Sequence, residues 1–147
     1  MGYSKQSQRT LDALLELKDA GLIAADDNAQ VGGSDQILDM GTGVFVGEVL
    51  HEVSAIEIAS GDEVYKLIVQ GSSSATFASD IVDLSTVVLG DASTIATTRD
   101  VDSTTGRYIS GVSNVLNDVA YRYVRLRIEV AGTIATGINV ASHLVAC

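Results

Sequence analysis

Apolar and polar side chains alternate along residues 121–130, with only Arg122 out of step. Val124, Leu126, Ile128 and Val130 occupy one parity, and Tyr121, Tyr123, Arg125, Arg127 and Glu129 the other. Successive side chains on a strand point to opposite faces, so this pattern predicts a strand with one face in a core and a tyrosine and arginine face outside. Residues 119–130 and 138–145 are expected as two strands of a hairpin, joined through Gly132 and Gly137. The same alternation recurs where Tyr65, Leu67 and Val69 share a face opposite Lys66 and Gln70, and only Ile68 breaks it. Further strands are expected over 44–50, 53–59, 64–71, 86–89 and 107–116, with Gly41, Gly43, Gly61, Gly90 and Gly106 falling between them. Residues 91–106, rich in Ser, Thr and Asp, read as a long exposed loop. Short strands at this spacing, with no long helical periods between them, favour an antiparallel sandwich, jelly roll or barrel over a parallel α/β fold.

The beginning of the chain reads differently. Leu11, Leu14, Leu15 and Leu22 fall on one helical face, Thr10 is an acceptable N-cap, and Gly21 can end a helix. A short amphipathic helix over 10–20 is therefore expected, followed by a linker over 24–36 containing Asp26, Asp27, Gly32 and Gly33. A helix this short is marginal alone in water, so its leucines need a surface to pack on, either their own domain or a neighbouring chain. The expected division is an N-terminal arm over 1–35 and a β-sandwich domain over 36–147.

Composition narrows the function. A chain of 147 residues is long enough for one self-sufficient core. No run approaches the ~20 apolar residues of a membrane span, and no export signal is expected. The formal charge of −10 repels phosphate backbones, so direct nucleic-acid binding is not expected. With no proline anywhere, turns fall to Gly, Asp, Asn and Ser. The single cysteine, Cys147, excludes an intrachain disulfide. Against this acidic background, three of the nine basic side chains crowd into residues 122–127, a strip suited to a protein partner.

Catalytic chemistry has little to stand on. No Gly-x-Ser-x-Gly elbow occurs, and His51 and His143 are the only imidazoles. A zinc site would need additional ligands from scattered carboxylates, and His143 reads as a surface or interface residue. Gly41-Thr42-Gly43 followed by Gly47 lacks the spacing and the following helix of a nucleotide-binding loop, and reads as a strand entrance with a bulge at Gly47. Asp100, Asp102 and Gly106 fall short of a calcium loop, which needs a closing glutamate. No catalytic set, metal or cofactor is expected.

Several short motifs in order carry a resemblance over residues 35–147. They are Gly61-Asp62-Glu63-x-Tyr65-x-Leu67-x-Val69-Gln70-Gly71-Ser72, then Phe77-Ala78, Leu84, Gly90, Gly106-Arg107-Tyr108 and Asn114, then Tyr121-x-Tyr123-Val124-Arg125-Leu126 and Ala131-Gly132-Thr133. Together they resemble the small virion proteins that tailed bacteriophages encode beside the major capsid protein, among them the jelly-roll capsid cement protein of a Bordetella phage. Ile134-Ala135-Thr136 and Ile109-Ser110-Gly111 stand where such proteins often carry proline. The resemblance implies a jelly-roll subunit, made in the host cytoplasm, that binds the outer surface of the head. It would bridge major capsid protein subunits there, as a homodimer or higher homo-oligomer. The expected contact residues are Tyr121, Tyr123, Arg125 and Arg127, with Arg107 and Tyr108 on a neighbouring strand and Leu11, Leu14 and Leu15 as an arm. The alternative is a β-sandwich adhesion module on a virion or cell surface, recognising a glycan or protein receptor; the absence of tryptophan speaks against a sugar platform.

Overall fold

A computed structural model describes residues 13–95 and 101–146. Six long strands dominate it: β1 (Val46–Ile56), β2 (Val64–Ser72), β3 (Val82–Gly90), β4 (Gly106–Ser113), β5 (Tyr123–Ala131) and β6 (Ile138–Ala146). They form two antiparallel sheets. Sheet A runs in the order Glu16–Lys18, β6, β1, β4, and Leu22–Ile23 also pairs with β6. Sheet B runs Asp27–Asn28, β5, β2, β3, and Leu38–Asp39 also pairs with β5. Only β2 and β3 are consecutive long strands within one sheet; every other connection between long strands crosses from sheet to sheet. This eight-strand order, with its two short leading strands, is that of a jelly roll.

The core lies where the two inner faces meet. It contains Val49, Val53, Tyr65, Leu67, Val69, Val124, Leu126, Ile128, Ile138, Val140 and Leu144. The parity read from residues 121–130 is therefore the observed one, with Leu126 and Ile128 fully buried. Ile68, which interrupts the alternation of β2, is buried on the outer face, in register between Arg127 and Thr86.

Four expectations about elements are corrected. First, residues 10–20 do not form a helix where they are described: Ala13–Leu15 is a single 3-10 turn and Glu16–Lys18 is a strand. Leu17, absent from the helical face, is the fully buried leucine, whereas Leu14 is 81% exposed. The edge of β6 offers unpaired backbone groups, and joining it gains ladder bonds and a core position that a short isolated helix lacks. Second, the segment expected as a separate arm and linker supplies edge strands to both sheets, and Gln30–Val31 pairs with Ser34–Asp35. Third, β5 and β6 are not a hairpin, because they belong to opposite sheets. The strand expected from residue 119 is divided, with Val119–Ala120 pairing instead with Val115–Leu116. Fourth, the strands expected over 44–50 and 53–59 are one continuous strand limited to Val46–Ile56, and the bulge expected at Gly47 is absent, the ladders on both of its sides being unshifted there. Gly47 is needed for close approach, since a Cβ would lie 2.1 Å from the Val145 carbonyl oxygen.

Carboxylates close one end of the sandwich. The fully buried Glu63 accepts hydrogen bonds from the N–H groups of Ser60, Gly61 and Asp62 at 2.8, 2.9 and 3.1 Å. Glu57 accepts from the N–H groups of Ala135, Thr136 and Gly137 at 2.9, 2.7 and 2.9 Å, and Asp62 accepts from Thr133 N–H at 2.9 Å. These bonds hold both Glu57 and Asp62 below the ordinary carboxylate range, the Gly137 and Thr133 N–H groups contributing most. The Tyr65 hydroxyl donates to the Glu57 carbonyl at 2.8 Å, and burial, helped by the charges of Glu57 and Glu63, pushes it up to about 12. Gly132 sits at φ +97°, where a Cβ would meet the Asp62 carbonyl oxygen at 2.2 Å. Much of the Gly61–Tyr65 and Gly132-Thr133 pattern is thus the fastening of this end.

Leu126→Ala or Ile128→Ala is expected to cost about 2–5 kcal/mol in denaturant unfolding, the range for opening a core cavity. Glu63→Gln is expected to cost about 2 kcal/mol, because a neutral amide replaces a buried charged acceptor.

Candidate interaction surface

The outer face of sheet B carries the tyrosine and arginine stripe. Tyr123, Arg125, Arg127 and Glu129 are half-buried, in register with Ser72, Gln70, Ile68 and Lys66 of β2. Arg125 Nε donates to Gln70 Oε1 at 3.0 Å, and its guanidinium lies 4.3 Å from the centroid of the Phe77 ring. Arg127 Nη1 donates to Asn28 Oδ1 at 3.2 Å. Arg122 grips Asp39 through two bonds of 2.8 and 3.0 Å, and its guanidinium is 5.4 Å from the Tyr123 ring centroid. That guanidinium, aided by the Gly41 N–H, holds the Asp39 carboxyl down at about 2. Burial, and then the neighbouring Arg127 charge, lowers the pKa of Arg125. These arginines are cations held in fixed geometry by their own chain, not freely moving side chains.

Phe77 is part of this surface although it was expected only as a motif residue. It is buried yet adopts φ 55°, a conformation uncommon for a bulky side chain. The loop after β2 enforces it. Phe77 N–H donates to the Ser74 carbonyl at 3.1 Å, Ser72 Oγ donates to the Ser79 carbonyl at 2.6 Å, and Ser74 Oγ accepts from Ala78 N–H at 3.2 Å. The signal in the sequence was a lone aromatic within the run Ser72–Ser79, with an arginine strand available to stack on.

A second feature lies at the end of the sandwich where the stripe begins. The buried Asn114 donates through Nδ2 to the carbonyls of Gly43 and Tyr121, at 3.1 and 3.0 Å, and accepts from Phe45 N–H at 2.7 Å. It thereby ties the 43–45 loop to the small ribbon of Val115–Leu116 and Val119–Ala120. Val44, Val46, Leu116 and Val119 are all exposed on these elements, at 66, 58, 36 and 49%. Leu116 and Val119 are direct cross-strand partners, on a ribbon turned by Asn117 and Asp118 at positive φ. Short polar side chains tolerate that turn.

The other expected contact residues are dispersed. Tyr121 follows the ribbon, its N–H donating to the Asn114 carbonyl at 2.8 Å. Arg107 and Tyr108 lie on β4, in the opposite sheet and not on a strand beside β5. Arg107 forms an ion pair with Glu52, and the Tyr108 hydroxyl donates to the Thr104 carbonyl at 2.7 Å while its ring packs against the core. Leu15 packs against the core as well, and Leu11 lies outside the described residues.

His143 faces outward, its Nε2 3.8 Å from Glu16 Oε2. His51 has the parity of Val49 and Val53 and faces the core, fully buried. Its Nδ1 shares a 2.7 Å hydrogen bond with Ser142 Oγ, while Nε2 has no partner among the described residues. Burial lowers its pKa to about 4.

No family model matches the chain, and no curated protein matches it either. Its class is set by its own geometry: an all-β jelly-roll domain with a cationic and aromatic stripe on one sheet and an apolar tip beside it.

Because His51 takes up a proton in the folded state only near pH 4, the unfolded chain binds more protons between its ordinary pKa of about 6.5 and that value. Stability is therefore complete above this window and falls with acidification through it, by about 3 kcal/mol in all. Unfolding free energies measured across the window should show this fall, and His51→Gln should flatten it.

Proposed function

We propose that this chain is a structural capsid cement protein, binding the outside of a tailed-phage head and bridging its major capsid protein subunits. A fold alone does not define a function, so the weight falls on the surface. The observation that carries the reading is the Tyr123–Arg127 stripe on sheet B, together with the exposed Val44, Val46, Leu116 and Val119 on the elements that Asn114 ties to Tyr121. Exposed apolar side chains together with tyrosine and arginine are the residue types enriched in protein-binding patches. The stripe is ordered before any partner arrives, which lowers the entropy cost of docking. Repetition over an icosahedral shell would let modest single contacts add up through multivalency. The jelly-roll order of strands is also the fold that the motif resemblance implies.

The test uses heads assembled from the major capsid protein encoded beside this chain. The purified chain should co-sediment with those heads and raise their resistance to heat. Absence of co-sedimentation at micromolar concentration overturns the reading. Leu116→Asp with Val119→Asp should abolish binding while leaving the fold intact, since both side chains are exposed. Arg125→Ala should weaken binding and also cost the isolated chain about 1 kcal/mol, through loss of the Gln70 bond and the Phe77 contact.

A further inference from the structure

Among the described residues, two long strands have an unpaired edge, β3 and β4. They are not equivalent. The pairing of β3 with β2 slips between Val69 and Gln70, a bulge of the kind that turns an edge away from strand addition. The pairing of β4 with β1 runs residue for residue from Gly106 to Ser113 without a shift. That edge contains no proline, lysine or carboxylate. A long, regular edge whose one charge, Arg107, is paired with Glu52 of its own sheet is a template for another strand.

We propose that β4 pairs antiparallel with β4 of a second copy of this chain, about a two-fold axis through Ile109, so that the two copies of sheet A become one continuous sheet. Directly opposed residues of an antiparallel pair point to the same face, so only registers that oppose like parities keep both inner faces inward. The register centred on Ile109 satisfies this. It places Ile109 against its own equivalent, Tyr108 against Ser110, and Arg107 against Gly111 of the other copy. Ile109 is 39% exposed on the outer face, and self-pairing covers it with an apolar partner.

The charges of the outer face fit the same register. Gly111 has open space where a side chain would stand, so Arg107 of the other copy has room to lie across it. The next residue in that row, paired with Gly111 on β1, is Glu48, and Arg107 is already paired with Glu52 of its own β1. Neighbouring strands are about 4.8 Å apart, so Arg107 and Glu48 of the other copy stand roughly 10 Å apart at their backbones, within the combined reach of the two side chains. Each arginine then lies between two carboxylates from different copies. For a chain of formal charge −10, this brings a cation to the seam where self-repulsion would otherwise oppose association. Centring the pair on Ser110 instead sets Arg107 against Ser113 and loses both the Ile109 contact and the bridge.

Sedimentation of the full chain between about 1 and about 100 µM should show a particle of twice the 15.3 kDa chain mass, a range that spans a micromolar dissociation constant. In a Cys147→Ser background, Ile109→Cys should give a disulfide-linked dimer on mild oxidation, because both Cα separations of opposed antiparallel residues lie within disulfide range. Val88→Cys on β3 in the same background should remain unlinked. Ile109→Lys should weaken association at least tenfold with thermal unfolding of the monomer unchanged, and Arg107→Ala should weaken it and reduce its salt dependence. A monomer throughout the concentration range overturns the proposal. So does cross-linking through Val88→Cys as efficient as through Ile109→Cys, or an Ile109→Lys chain that associates as tightly as the native one.

Discussion

A jelly roll changes sheets at nearly every connection, and each change leaves backbone N–H groups that no ladder can satisfy. In this chain the acceptors are carboxylates. Glu63 binds its own turn, while Glu57 and Asp62 bind the link between β5 and β6. Asp26 accepts from Val130 N–H at 2.7 Å, Asp19 from Gly32 at 2.8 Å, Asp39 from Gly41 at 2.9 Å, Asp91 from Ser93 at 2.9 Å and Asp102 from Ala92 at 2.9 Å. A chain without proline cannot stiffen its turns through fixed φ angles, and charge-assisted bonds to N–H groups serve instead. Much of the chain's acidity belongs to the fastening of the fold.

The fold was legible in the sequence in part. The two faces of β5 could be read directly, since strict alternation has a single interpretation when one side must be dry. So could the all-β class and the position of Tyr65, Leu67 and Val69 in the core. Pairing partners could not be read, because which edge a strand joins is decided by contacts far along the chain. Glu16–Lys18 failed as a strand prediction for that reason: its local pattern suits a helix, and only the distant β6 makes extension the better choice. The link through Gly132 and Gly137 looked like a hairpin because glycine marks a reversal without saying whether the chain returns to the same sheet.

The surface was only partly legible. Alternation placed Tyr123, Arg125 and Arg127 outside but said nothing of the company they keep. Gln70 and Asn28 come from neighbouring strands in register, and Phe77 from a loop whose course depends on serine hydroxyls. The apolar tip escaped notice because Val44 and Val46 are far in sequence from Leu116 and Val119, and only the β1–β4 ladder and the bonds of Asn114 bring them near one another among the described residues. Arg107 and Tyr108 were grouped with the stripe on pattern, yet the sheet change between β4 and β5 sends them to the other side of the molecule.

The position of β6 has a consequence for how the molecule is made. It lies between Glu16–Lys18 and β1, so sheet A lacks an inner strand until residue 146 has left the ribosome. Sheet B can assemble earlier, with its apolar face waiting for cover. Closure joins the two ends of the chain last, a long-range pairing of the kind that slows folding. A nascent or truncated copy would therefore display the inner face of sheet B to solvent, and cellular quality control would meet the protein at that stage.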